Sequence, residues 1–245
     1  MRRLLAALLV LCLNAFAAKA EDLVVLESSM PALPAGATVS SDASVEVPAG
    51  GRVVLAAPSG QIVTLTGPFK GAPPAAGGSG AASGNMVKTL STLFGHADQR
   101  TALGVVRATD ASWRQDSAKT VADVLAIDST DGGDACIYDP AHAAVLHNPS
   151  HHGEMSIEPM NGGDKVKIVW PKDTLQLPWP PSLPIADGDG FVFEQFGDNA
   201  AAIVTIHVLK AADAASDLDR AAQLADAGCR DQARLLVSLV ARSAK

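Results

Sequence analysis

From Glu21 onward the apolar residues come in short runs, broken every few positions by Gly, Pro, Ser or Asp. Such interruption leaves little room for long buried helices and favours short strands joined by turns. Leu23-Val24-Val25-Leu26, Val45-Glu46-Val47, Val53-Val54-Leu55 and Ile62-Val63-Thr64-Leu65 are rich in β-formers and predict strands across residues 21–70. The clearest unit is a hairpin: residues 52–57 and 61–66 flank Pro58-Ser59-Gly60, where Pro presets φ and Gly permits the chain to return. Alternation then places Val53, Leu55, Val63 and Leu65 on one face, which is expected to be core.

The chain has enough apolar material for such a core. Of its 245 residues 48% are hydrophobic, which excludes a disordered chain. Gly (21) and Pro (15) stand at ordinary levels, so collagen-like and low-complexity architectures are excluded as well. Asp and Glu (26) outnumber Lys and Arg (19), giving a net charge of −7, which argues against nucleic acid or an anionic membrane surface as partner.

Residues 1–20 have the pattern of a secretory signal peptide. Arg2 and Arg3 precede a nearly unbroken apolar stretch from Leu4 to Phe16, and Ala18-Lys19-Ala20 puts small residues where signal peptidase reads them. Cleavage is expected after Ala20, with Ala17 as the alternative. The apolar stretch is shorter than the roughly 20 residues that a spanning helix requires. Leu11 precedes Cys12 where a lipidation signal wants a small residue. A periplasmic or secreted protein is expected, without a transmembrane segment once the leader is removed.

Removal of the leader takes away three cations, no acid and Cys12, leaving a net charge of about −10 and two cysteines, Cys136 and Cys229. In an oxidising compartment a lone pair of thiols is usually bridged. Such a bridge would contribute about 2 to 4 kcal/mol in the chain-entropy account.

Beyond residue 70 the organisation changes several times. Residues 71–84, almost all Gly, Ala, Pro and Ser, carry little to bury and read as a flexible linker. Within 85–100, Met86, Leu90, Leu93 and Phe94 recur at helical spacing and Gly95 supplies a stop. Residues 101–210 return to strands, expected at 103–107, 124–128, 135–138, 145–147, 165–170, 191–196 and 202–209, and suggest a sandwich. Prolines 178, 180, 181 and 184 make 177–185 an extended edge or loop pinned by Trp179. Asp187-Gly188-Asp189-Gly190 is a turn, without EF-hand spacing after it. Residues 211–245 read as a helical hairpin, 213–227 and 230–242, with Ser216 or Asp213 as N-cap and Gly228 as the break. Leu218, Ala221, Ala222 and Leu224 form one apolar stripe; Ala233, Leu236, Val237 and Val240 form the other. The fold class expected is mainly β: a short-strand N-terminal module and a β-sandwich-like region, closed by a C-terminal helical hairpin.

Chemistry is concentrated in one place. His142, His147, His151 and His152, with Glu154 close by, lie in a Gly/Pro/Asn-rich segment, and imidazoles suit zinc or copper. Their spacing matches no strong zinc signature, and no Cys accompanies them. A hydrolase lacks its nucleophile elbow here, Ser150 beside His151 is adjacency alone, and the Gly-rich segments lack the Lys-Ser/Thr of a phosphate cradle. No cofactor is expected unless the histidines take a metal.

Val39, the stretch Val45-Glu46-Val47-Pro48-Ala49-Gly50-Gly51-Arg52-Val53-Val54-Leu55, Pro58-Ser59-Gly60 and Val63-Thr64-Leu65-Thr66-Gly67-Pro68 resemble the strand-turn pattern of FecR-type periplasmic β modules over residues 36–70. The chain as a whole resembles exported Gram-negative proteins that join such a segment to a Trp-Pro-rich β region and a closing helix beginning Gly228-Cys229-Arg230-Asp231-Gln232-Ala233. The resemblance implies an envelope binding or signalling module and carries no catalytic residues. Its sensor relatives are membrane-spanning, unlike the chain expected here. The sequence therefore points to a non-catalytic periplasmic module that binds or scaffolds another envelope protein or ligand. The alternatives are a metal-binding protein using the histidine segment and an enzyme of unrecognised type.

Overall fold

The computed structural model describes residues 21–74, 84–95, 120–130, 132–195, 201–210 and 216–244. The expected leader, most of the 71–84 linker, the strand expected at 103–107 and the start of the segment at 211–245 lie outside the described residues. Of those described, 37% are in strands and 24% in helices, so the protein is mainly β.

Within the N-terminal module, β1 (Asp22–Ser28), β2 (Thr38–Ser40), β4 (Arg52–Ala56) and β5 (Ile62–Thr66) form an antiparallel sheet in the order β2-β1-β4-β5. β3 (Val45–Val47) and β6 (Phe69–Gly71) make a separate ribbon. The expected hairpin is present, with Val53 opposite Leu65 and Leu55 opposite Val63. Its core, however, has two sides. Val53, Leu55 and Leu65 pack with Leu23, Val25, Val45 and Val47, while Val54, Ala56, Val24 and Leu26 on the opposite face meet the helices. Gly67 has a steric reason: a Cβ there would overlap the carbonyl oxygen of Pro48, so only glycine lets the chain pass.

The second β unit is a five-stranded sheet ordered β11-β10-β13-β14-β8 and a three-stranded sheet ordered β12-β9-β7. Its strands are β7 (Ile127–Asp128), β8 (Gly133–Ile137), β9 (Ala144–Leu146), β10 (Gly153–Pro159), β11 (Val166–Trp170), β12 (Gln176–Pro178), β13 (Asp189–Gln195) and β14 (Ala201–Val208). Ile127 and Val145 of the small sheet share a core with Ile137, Met155, Ile157, Trp170, Phe191, Phe193, Val204 and Ile206 of the large one, a two-layer arrangement. Trp179 pins the Pro-rich segment as expected: its ring packs edge-on to Phe191 with centroids 4.9 Å apart, and Nε1 donates to Leu183 O at 2.6 Å.

Two expectations need correction. Residues 124–128 are not one strand; helix α2 (Val121–Leu125) precedes β7. Thr120 and Asp123 form a capping box, in which Thr120 Oγ1 accepts from Asp123 N (3.2 Å) and Asp123 Oδ2 accepts from Thr120 N (2.8 Å); these contacts satisfy the orphan amides of a helix start. Residues 153–159, not among the expected strands, are β10, interior to the large sheet. Only Met155 and Ile157 advertise that strand in sequence.

Helices α1 (Gly84–Gly95), α3 (Asp217–Asp226) and α4 (Arg230–Ser243) complete the fold. Ser216 caps α3 through Asp219 N at 3.1 Å, and Gly228, at φ 95°, turns the chain between α3 and α4. This hairpin lies between the two β units. On one side α4 meets the N-terminal sheet, where Arg52 Nη2 donates to Ala241 O (3.1 Å) and Ala244 O (3.3 Å) and Thr64 Oγ1 donates to Ala244 O (2.9 Å), satisfying carbonyls the helix end leaves open.

On the other side α4 meets β8. Cys229 is joined to Cys136, with Cα atoms 5.9 Å apart. Gln232, one turn along, accepts from Cys136 N at 2.7 Å and donates to Cys136 O at 3.2 Å and to Val124 O at 3.0 Å. One side-chain amide thus completes the edge of β8 as a neighbouring strand would. Leaving a buried backbone group unpaired costs about 1 to 3 kcal/mol. Gln232→Leu, which orphans such groups at constant bulk, is therefore expected to destabilise the protein by at least about 2 kcal/mol, on the scale of the bridge itself. Urea unfolding of the oxidised protein measures this; an unchanged midpoint would show that Gln232 is dispensable.

Candidate functional site

The two faces of the large sheet differ in what they meet. One is closed by the small sheet; the other carries Glu154, Ser156, Glu158, Lys167, Val169, Val192, Glu194, Ile203 and Asp134, which share a face by register. At the β8 end this outer face passes under the helices through Cys136. Elsewhere it holds an unusual set of side chains. The exposed large hydrophobics among the described residues are Met160 (59%), Val169 (73%) and Ile203 (53%), and all three belong to this face. Ile203 is the cross-strand partner of Val192, itself beside Glu158. Met160 lies over Gly190, where a Cβ would meet its Sδ at 2.8 Å.

Polar and charged side chains, Ser156, Glu158, Lys167 and Glu194, lie between Val169 and Ile203. Lys165 Nζ sits 2.8 Å from Glu194 Oε2 and 2.9 Å from Glu158 Oε2, and Lys167 pairs with Glu154 at 2.9 Å. The hydrogen bonds to Glu194 and then Glu158 raise the Lys165 pKa, and the bond from Lys165 lowers that of Glu194. Ser156 Oγ, buried beneath, donates to Glu194 at 3.3 Å. Toward β8, His207 Nε2 lies 3.0 Å from Asp134 Oδ1. The lysines are thus held by carboxylates of the same face, and the acids remain in excess.

The structure distributes the four histidines rather than gathering them. His142 is exposed and pairs with Asp139 at 2.6 Å, a contact that lowers the Asp139 pKa. His152 is exposed. His147 is buried at 3% exposure, its ring 5.1 Å from that of Trp170 and 5.9 Å from that of His151. Ser129 Oγ donates to Leu146 O at 3.0 Å and lies 3.1 Å from His147 Nδ1. Among the described residues no group of three or more His, Cys, Asp or Glu is placed to hold one metal ion.

The exposed sheet face was missed in sequence, although a signal existed. An antiparallel sheet with one wet face normally alternates apolar and polar residues. Ile168-Val169-Trp170, Phe191-Val192-Phe193 and Ala202-Ile203-Val204 are apolar at both parities, so some of these side chains had to point outward.

Comparison with known protein families, curated proteins and solved structures finds no match to this chain.

Burial, then the neighbouring His151, lowers the pKa of His147 to about 4, against about 6.5 when unfolded. Between these values the unfolded state binds the proton that the folded state refuses, so stability is full above pH 6.5 and falls as pH drops toward 4. Urea midpoints measured across that range are expected to decline on acidification. His147→Gln should flatten that part of the decline; an unaltered slope in the variant would place its origin elsewhere.

Proposed function

We propose that this chain is an exported, non-catalytic docking module of the bacterial envelope. The outer face of its large sheet receives a segment of a partner protein that presents apolar side chains flanked by Lys or Arg. The observation that carries this reading is that the exposed large hydrophobics among the described residues, Met160, Val169 and Ile203, all stand on one face, with Met160 and Ile203 on either side of partly buried Val192, since exposed apolar surface marks interaction sites. The surplus of carboxylates around them favours a cationic flank on the partner. Export is supported by the leader pattern of residues 1–20 and by the Cys136–Cys229 bridge, which suits an oxidising compartment. No described helix is long and apolar enough to cross a membrane. The FecR-type resemblance of residues 36–70 agrees with a role in envelope interaction. A binding role also fits the use of polar groups here, because Gln232, Ser129 and His147 are engaged in holding the fold.

Site-specific photocrosslinking in the exporting host tests the proposal. A photoreactive side chain at Ile203 or Val169 is expected to capture one protein, and the same group at exposed Ser182 is not. A synthetic peptide spanning the captured segment should bind the purified protein, and Ile203→Lys should weaken it about tenfold or more, as loss of a central contact does. The melting temperature of Ile203→Lys should stay within about 2 °C of wild type, as for a surface substitution. A large fall in melting temperature would show that the chain itself covers this face. That outcome, equal capture at Ser182, or a captured segment without cationic flanks would overturn the reading.

A further inference from the structure

A second surface, apart from the sheet face and independent of its reading, lies where α1 runs beside the turn between α3 and α4. Met86, Val87, Leu90 and Leu93 turn the apolar side of α1 into the core. The opposite stripe, including Lys88, Thr89 and Thr92, lines a groove of about 460 Å³ whose other wall holds Asp226 and Arg230. That volume lies in the range of small-molecule sites. Thr89 Oγ1 donates to Asp226 Oδ1 at 3.1 Å, which fixes the carboxylate on the wall and leaves its second oxygen open to another donor.

Two cations line this groove that no carboxylate among the described residues holds. In a protein of net charge −7, Arg52, Lys70, Lys165, Lys167, Arg220 and Arg234 have carboxylate partners, whereas Lys172 and Lys210 stand without one among the described residues. Lys88 and Arg230, both exposed, likewise have none among the described residues, but these two line one groove together with Asp226. Two unmatched cations facing one anchored carboxylate define a complementary ligand: two anionic groups and one cationic donor. The guanidinium offers a fork that suits a carboxylate, the ammonium a point charge, and Asp226 penalises any ligand that is anionic throughout.

We infer that this groove binds a small acidic zwitterion, an amino dicarboxylate or a short acidic peptide. Its carboxylates are held by Arg230 and Lys88 and its ammonium by Asp226. A lone amino acid leaves much of the groove empty, so a dipeptide is the better match in size.

Calorimetric titration of the disulfide-intact protein with the dipeptide Ala-Glu tests the inference. Saturable binding is expected below about 1 mM, and Lys88→Ala and Arg230→Ala should each weaken it about tenfold or more, the scale of a lost charged hydrogen bond. Ala-Gln, lacking one carboxylate, and N-acetyl-Ala-Glu, lacking the ammonium, should bind comparably worse. Asp226→Asn, which retains an acceptor for Thr89, should abolish discrimination against the acetylated peptide. All three side chains are exposed, so melting curves of the variants should match wild type and confirm that binding is what changed. Absence of saturation at about 10 mM, equal affinity for Ala-Gln, equal affinity for inorganic phosphate, or wild-type binding by the cation variants would each overturn the assignment.

Discussion

The amide of Gln232 on the backbone of Cys136 is the contact on which the architecture turns. A strand edge that is neither paired nor covered is a template for unwanted association, and β8 is an edge of its sheet. By donating and accepting at one residue, Gln232 caps that edge with a helix, and the bridge from Cys229 to Cys136 keeps the helix from drifting. At its other end α4 delivers carbonyls to Arg52 and Thr64 of the N-terminal hairpin. The helical pair therefore forms the shared wall of two β units, each with a second core of its own.

This arrangement explains why the large sheet keeps an open apolar face. The helices cover its outer side at β8 and leave β14, β13, β10 and β11 uncovered by them. On those strands Val169 and Ile203 are exposed, whereas Glu158 and Glu194 share Lys165. Val169 on β11 and Ile203 on β14 thus flank the charges of β10 and β13, which are already paired and so lose less when a partner covers them than unpaired charges would.

Local signals in the sequence were strong wherever one short segment decided the outcome. The hairpin about Pro58-Ser59-Gly60, the break at Gly228 and both C-terminal helices follow from turn chemistry and periodicity, and the pairing of Cys136 with Cys229 followed from their being the two cysteines beyond the expected leader. Tertiary choices were not legible. Nothing in Val53-Val54-Leu55 told which of two cores each side chain enters, and Gln232 looked like an ordinary helix residue because its partners lie 96 and 108 positions away. The helix at Val121 was hidden because its capping box precedes a run of β-formers. The candidate face was obscured for a related reason: apolar residues at both parities of a strand read as a buried sheet, although one parity here is outside.

The account makes the helical pair the common wall of both β units, so they should open together rather than one by one. Native-state hydrogen exchange of the oxidised protein measures this directly. The amides of Val54 in the N-terminal sheet, Cys136 and Ile206 in the large sheet and Leu236 in α4 are expected to share one opening free energy, with no subglobal unfolding between them. An N-terminal sheet that opens at a free energy lower by about 2 kcal/mol or more, while Cys136 stays protected, would contradict the account and leave two modules tethered by a bridge.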